Sequence, residues 1–187
     1  MLSHDDSMGL LAAYAGGAGW ARHCLSVAVS ASRIGLVLER RYAIDRDYLW
    51  SAALLHDIGR CVTHDPIMHG VAGYNLLMKL GHAREAFVCA SHILFGLEAS
   101  EAVQLGLPAR DFIPRTIEQR LVPLVDLMTE GDRPVTLDQR FSSLRKRYVG
   151  NRFLMDRLDR AQQTAMSYMI EFSEEIGEPV EKVIGAQ

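Results

Sequence analysis

Cysteine is scarce in this chain, and the three present, Cys24, Cys61 and Cys89, form no C-x-x-C pair. Such an odd, scattered set excludes a disulfide framework and points to a reducing compartment. No stretch approaches the ~20 uncharged apolar residues that a membrane span needs. The N-terminus, MLSHDDSMGLLAAYAGG, lacks the basic residues that open a secretory signal. An excess of positive charge is missing too: 20 Lys and Arg face 23 Asp and Glu, a formal net charge of −3. Binding nucleic acid irrespective of sequence depends on neutralising phosphates, so this balance is a poor match for a nucleic-acid partner. These absences predict a cytoplasmic, soluble protein with no membrane partner. Apolar residues, by contrast, make up 49% of the 187, which excludes a disordered chain. The length suits a single domain over 1–187, and a domain of that size buries roughly 70% of its unfolded surface.

The apolar period is helical almost throughout. Trp20, Cys24, Val27, Ala28, Ala31, Ile34, Gly35 and Leu38 recur at spacings of three and four, the stripe of an amphipathic helix. Asp45 is placed to cap a helix through Leu49, Ala52, Ala53 and Leu55 that runs into Gly59. Asp65-Pro66 reads as a cap followed by proline at the first helical position, with a helix from Met68 to Leu80 breaking at Gly81. Residues 82 to 95 form another, and LGLPARDFIPRT (105 to 116) is a loop. Thr116 with Gln119, and Thr136 with Gln139, are capping boxes opening two more helices. A long final helix spans about Phe153 to Ile176. No repeat, low-complexity segment or strand alternation interrupts this pattern. It predicts an all-α fold of about seven or eight helices, its core in 18–130 and C-terminal helices in 137–177 packed on that core.

Two adjacent polar residues break the apolar context of ALLHDIGR. His56 and Asp57 follow four apolar residues, so both are driven inward, and a buried charge must be paired, hydrogen-bonded or coordinated. Their neighbour Gly59 can end a helix, and near such an end both side chains can reach one point. Histidines and an aspartate recur elsewhere: His23 at the head of its stripe, His69 in HGVAGYNLL, His92 in ASHILFGL and Asp126 in LVPLVDLM. Imidazole with carboxylate and no thiolate suits Fe, Mn, Zn, Co or Ni. Hydrogen bonding alone is the simpler use of an isolated His-Asp pair.

The ordered set H…HD…H…H…D resembles the HD-domain metal-dependent phosphohydrolases, in particular their small HDIG group. The resemblance covers roughly residues 18 to 130 and rests on RHCLSVA, LLHDIGR, HGVAGYNLL, SHILFG and LVDLM, with LGLPARDFIPRTIEQRL as a further stretch in common. It implies a helical bundle with an interior metal site. His23, His56, Asp57 and Asp126 would hold a first ion, and His69 and His92 match the added histidines of two-metal members, with Asp57 bridging. Two ions ~3.5–4 Å apart clamp a phosphoryl group and acidify a water. The implied activity is hydrolysis of a phosphate mono- or diester in a small phosphorylated metabolite or nucleotide by a metal-activated hydroxide. One or two divalent ions among Fe, Mn, Co, Ni and Zn would serve.

Arg60 stands where many relatives have lysine and offers a guanidinium for a phosphate oxygen, or is an ordinary helix-end arginine. His64, in the loop before Asp65, is a candidate proton shuttle or substrate contact, or else a surface histidine. Three features depart from relatives. Pro123 interrupts the helix three residues before Asp126, no glutamate follows the His-Asp pair within 60–64, and no GYP signature is present. Each cysteine sits near a candidate ligand, so a mixed Cys/His zinc site is an alternative to Cys as a small core residue. Seven basic residues between 140 and 160 (Arg140, Arg145, Lys146, Arg147, Arg152, Arg157, Arg160) make either a solvated face or a receptor for phosphate. Tyr168, Met169 and Phe172 suit packing or a homodimer interface. His82 and His4 read as solvated and tail residues. Two other functions use the same ligands: a di-iron oxygenase, and a non-catalytic metal-binding signalling module.

Overall fold

The computed structural model describes residues 2–186, with residue 153 as backbone only. Among these residues are ten α-helices, eight of at least nine residues: α1 His4–Ala15, α2 Trp20–Leu38, α3 Arg46–Leu55, α4 Met68–Lys79, α5 Ala83–Ser91, α6 Ala99–Gln104, α7 Ile117–Leu127, α8 Leu137–Arg147, α9 Arg152–Ile176 and α10 Val180–Ile184. Two 3₁₀ turns, Ile58–Cys61 and Ile93–Phe95, and an antiparallel ribbon of β1 Thr129–Glu130 with β2 Arg133–Pro134 complete the set. The all-α class follows from the period: Cys24, Val27, Ala28, Ala31, Ile34, Gly35 and Leu38 are buried along one face of α2. That face packs on α3 and α7, while α4 packs on α5 and α9 on α2 and α7.

Caps set the boundaries. Asp45 accepts from Tyr48 N at the start of α3. Thr116–Gln119 and Thr136–Gln139 both form reciprocal capping boxes. Asn151 caps α9 by accepting from Leu154 N, and Gly177 ends it in the left-handed region that lacks a Cβ penalty.

Four local expectations differ. Helix α3 stops at Leu55 instead of running to Gly59, because Asp57 takes the bridge conformation (φ −101°, ψ 10°) and opens a 3₁₀ turn. Asp65 does cap, accepting from Ile67 N and Met68 N, but the helix begins at Met68, so Pro66 lies outside it. The helix predicted over 82–95 ends at Ser91, and Leu94 (φ 46°) and Phe95 (φ 67°) adopt positive φ, a costly conformation for such side chains. The N-terminal segment, given no helix by its period, forms α1 under the Ser3 cap. His4 there stacks on Trp50 at 4.1 Å, so it is no loose tail, and His82 is half-buried at the N-cap position of α5, without a side-chain capping hydrogen bond. No helix among the described residues is long and apolar enough to cross a membrane.

Candidate metal centre

Six side chains from five segments converge where helices begin and end. His23 lies in the first turn of α2, His56 and Asp57 just past α3, His69 at the start of α4, His92 just past α5, and Asp126 in the last turn of α7. His56, Asp57, His69 and His92 are buried, while His23 and Asp126 form the rim with side chains 13% and 19% exposed. Pro123 is accommodated inside α7, and the helix beyond it presents Asp126 to His23 and His56.

The close approach that makes this convergence fit depends on Gly59. A Cβ there would lie 1.9 Å from the His69 carbonyl oxygen and 2.4 Å from Gly73 N. Only a residue without a side chain lets the 3₁₀ turn touch the start of α4, which brings His69 beside Asp57.

Every histidine of the cluster spends Nδ1 on a backbone carbonyl. His56 Nδ1 donates to Ala53 O at 2.7 Å, His69 Nδ1 to Asp65 O at 2.8 Å, His92 Nδ1 to Val88 O at 3.3 Å and His23 Nδ1 to Gly131 O at 2.8 Å. A carbonyl can only accept, so the proton sits on Nδ1 and the Nε2 lone pair of each neutral ring faces the centre. The last of these partners was invisible in the sequence: Gly131 sits in the β1–β2 turn, which no alternation announces.

The Nε2 atoms fall into two groups around Asp57. His69 Nε2 lies 2.9 Å and His92 Nε2 3.5 Å from Asp57 Oδ1. On the other side, His56 and His23 Nε2 stand 3.8 and 4.0 Å from Asp57 Oδ2, and 3.6 and 2.9 Å from Asp126 Oδ1. His23, His56 and Asp126 thus form one potential ligand group and Asp57, His69 and His92 another, each within 4.8 Å.

Whether these residues suit a metal can be judged from the lone pairs. His69 Nε2 and His92 Nε2 face each other at 3.2 Å, and His56 Nε2 is buried with no hydrogen bond. Lone pairs converging on lone pairs and carboxylates need a proton or a cation between them. Two donors each ~2.1 Å from one ion and at right angles are ~3.0 Å apart, close to the shortest separations here. The donor set therefore fits divalent ions.

Without a cation, protons do part of this work. Burial pulls the His56 ring down, but Asp57 and Asp126 outweigh it and raise its pKa to about 8. Burial pushes Asp57 up, yet His56, His69 and His92 hold it well below the usual carboxylate range; His23 and His56 do the same for Asp126. Burial keeps His92 below its ordinary value.

The remaining candidates take distinct places. Arg60 Nε donates to Asp57 Oδ2, and its side chain, 28% exposed, lines a cavity of about 490 Å³ that opens onto the cluster. His64 is exposed on the wall of the same cavity. Cys24 Sγ is near His56 and Asp57, but burial and the Asp57 charge push its thiol well up, which disfavours a thiolate. Cys89 donates to Leu55 O, and Cys61 is exposed.

The HD-domain family model matches residues 20–129. An uncharacterised protein of Methanocaldococcus jannaschii is 36% identical over 131 residues, 69% of this chain and 77% of that protein. The tRNA (cytidine(56)-2'-O)-methyltransferase of Thermoplasma volcanium is 33% identical over 119 residues, 63% of this chain but 35% of that protein. Its counterpart in Picrophilus torridus is 38% identical over 96 residues, 51% of this chain and 28% of that protein. The chain spans about a third of the length of these two methyltransferases. No solved structure matches it.

Proposed function

The chain belongs to the HD-domain family, and from that premise we propose that it is a metal-dependent phosphohydrolase acting on a phosphate ester of a small metabolite or nucleotide. The observation that carries this reading is the shared orientation of four imidazoles, each with Nδ1 on a carbonyl and Nε2 turned inward beside Asp57 or Asp126. In it, His23, His56 and Asp126 would hold one ion and Asp57, His69 and His92 a second. Bound there, divalent ions polarise the phosphoryl oxygens and lower the pKa of the attacking water.

The chain's own residues do the rest. The Arg60 guanidinium, fixed by Asp57, holds a phosphoryl oxygen at the cavity wall. Water oxygen bonds to phosphorus as the ester P–O bond breaks, and His64 takes the proton the water loses and passes it to the departing alkoxide. The backbone carbonyls behind the rings keep each imidazole from turning during the cycle. The C-terminal helices belong to the same domain in this reading, since α9 packs on α2 and α7.

The test is anaerobic purification with elemental analysis, then a phosphomonoesterase and phosphodiesterase panel with Mn, Fe, Co and Ni. Two ions per chain and phosphate release that falls at least a hundredfold in His56→Ala and Asp57→Ala are expected. Substrate-dependent oxygen uptake by iron-loaded protein, with no phosphate released, would replace this reading by an oxygenase. Metal content and activity indifferent to both substitutions would leave a non-catalytic module.

A further inference from the structure

The cavity in front of the metal centre has a lining of two origins. One part is the ligand cluster with Arg60; the other is Trp20 with Arg140, Leu144 and Arg147 of α8 and Leu154 and Leu158 of α9. Helices α8 and α9 lie beyond residue 129, where the match to the family ends. Apart from Trp20, this second part therefore comes from helices outside the family match.

Positions 140, 144 and 147 recur at spacings of four and three, so they share one face of α8. The Thr136 capping box and the burial of Leu137, Phe141 and Leu144 fix how that helix is turned. The basic run of 140–160 then divides by role. Arg145 pairs with Asp159 at 2.6 Å, while Arg157 binds Glu101 and donates to Gly96 O, so both serve the fold. Arg140 and Arg147 are the members that line the cavity.

These two guanidiniums are incompletely matched. Both reach the same oxygen, Glu130 Oε1, Arg140 at 3.3 Å and Arg147 at 3.6 Å, and that oxygen already accepts from Ser143 Oγ at 2.6 Å. One carboxylate against two guanidiniums leaves one positive charge uncompensated. Arg140 Nε is buried and has no hydrogen-bond partner, although the side chain is only 14% exposed. A donor held out of water and without an acceptor is a position waiting for one. The other residues of this second part, Leu144, Leu154, Leu158 and the Trp20 ring, are apolar.

We infer that the substrate is bis-anionic: a phosphate ester at the metal centre and a second phosphate or carboxylate held by Arg140 and Arg147, joined by an apolar body resting on these leucines. The inference rests on the phosphohydrolase reading and deepens it. Glu130 serves as the resting counter-ion of the arginines and yields to the incoming anion. A cavity of about 490 Å³ has room for a body of this kind.

Phosphonates test this without turnover, because their C–P bond does not hydrolyse. Straight-chain alkylphosphonates of three to six carbons, ending in methyl, carboxylate or a second phosphonate, are titrated calorimetrically into the manganese-loaded protein. At the best length, one of the bis-anionic series binds roughly tenfold tighter than its methyl-ended counterpart. Which series wins identifies the second group. That ratio falls to about two or less in Arg140→Ala/Arg147→Ala. It also falls in Arg147→Ala alone, a half-exposed site where folding is not at risk, and it rises in Glu130→Gln. Equal binding of all three series by the wild type, or a preference that survives the double substitution, overturns the inference. Phosphate release from simple esters separates the two readings. Hydrolysis without a bis-anion preference removes this inference alone, and preference without hydrolysis removes the phosphohydrolase reading while the anion site stands.

Discussion

His56 occupies the position where burial and charge compete most directly. Two carboxylates hold its pKa near 8 against desolvation, so at pH 7 the metal-free ring is mostly protonated. A ligating imidazole must be neutral, and ion uptake therefore expels that proton. The sign follows: apparent metal affinity is highest above pH 8 and weakens about tenfold per unit as pH falls below it, for one competing proton. His92, kept below its ordinary value by burial, adds no such competition near neutrality. Manganese titrations at several pH values, each in buffers of different ionisation enthalpy, should show about one proton released per centre at pH 7 and almost none at pH 9. Affinity independent of pH across that interval would contradict the assignment of His56 as a ligand.

Among the elements, the 3₁₀ turn Ile58–Cys61 sits directly against the start of α4. Its Gly59 meets backbone, not a side chain end, so a methyl group cannot be absorbed by a rotamer change. Gly59→Ala should cost at least about 2 kcal/mol of stability, seen as a lowered denaturant midpoint, because the turn must move off α4. The same displacement carries His69 away from Asp57, so the variant should retain fewer ions than the wild type under elemental analysis. A variant with unchanged midpoint and full metal content would show that the two segments are not in contact. Such a glycine was legible in the sequence only as a helix stop. Its actual service is a close approach between segments that no local pattern records. Helices α7 and α8 are the opposite case, since their capping boxes and their packing agree, and both start where Thr116 and Thr136 predict. The positive φ of Leu94 and Phe95 had no signal at all; the pair lies between His92 and Gly96, whose carbonyl accepts from Arg157.

At the scale of the whole molecule, Tyr48 reports on the fold as a unit. It is buried on α3, donates to Arg84 O on α5, accepts from Gln119 on α7 and lies under the Arg84 guanidinium at 3.9 Å. Burial raises its phenol pKa to about 12, whereas an unfolded tyrosine titrates near 10. The folded state thus holds this proton more tightly. The corresponding stability is fully present below pH 10 and is lost as pH rises towards 12, a decline of about 2 to 3 kcal/mol. Denaturation midpoints across that interval should fall in the wild type, and the part due to this group should vanish in Tyr48→Phe.

The amino-acid order alone determined the helical class and most helix positions, because periodicity and caps are carried by neighbours three and four places apart; the six cluster residues were implied by the resemblance of the H…HD…H…H…D order to the HD-domain family. It also flagged the basic run, without deciding between a solvated face and a phosphate receptor. The tertiary structure decided how the imidazoles group about Asp57, how each Nε2 is aimed inward, and which two arginines of the run face the cavity. These depend on contacts between remote segments, such as His23 with Gly131, 108 positions apart. Such contacts arise only when burial of the helical faces brings the ends of the helices together, and a local pattern holds no trace of that meeting.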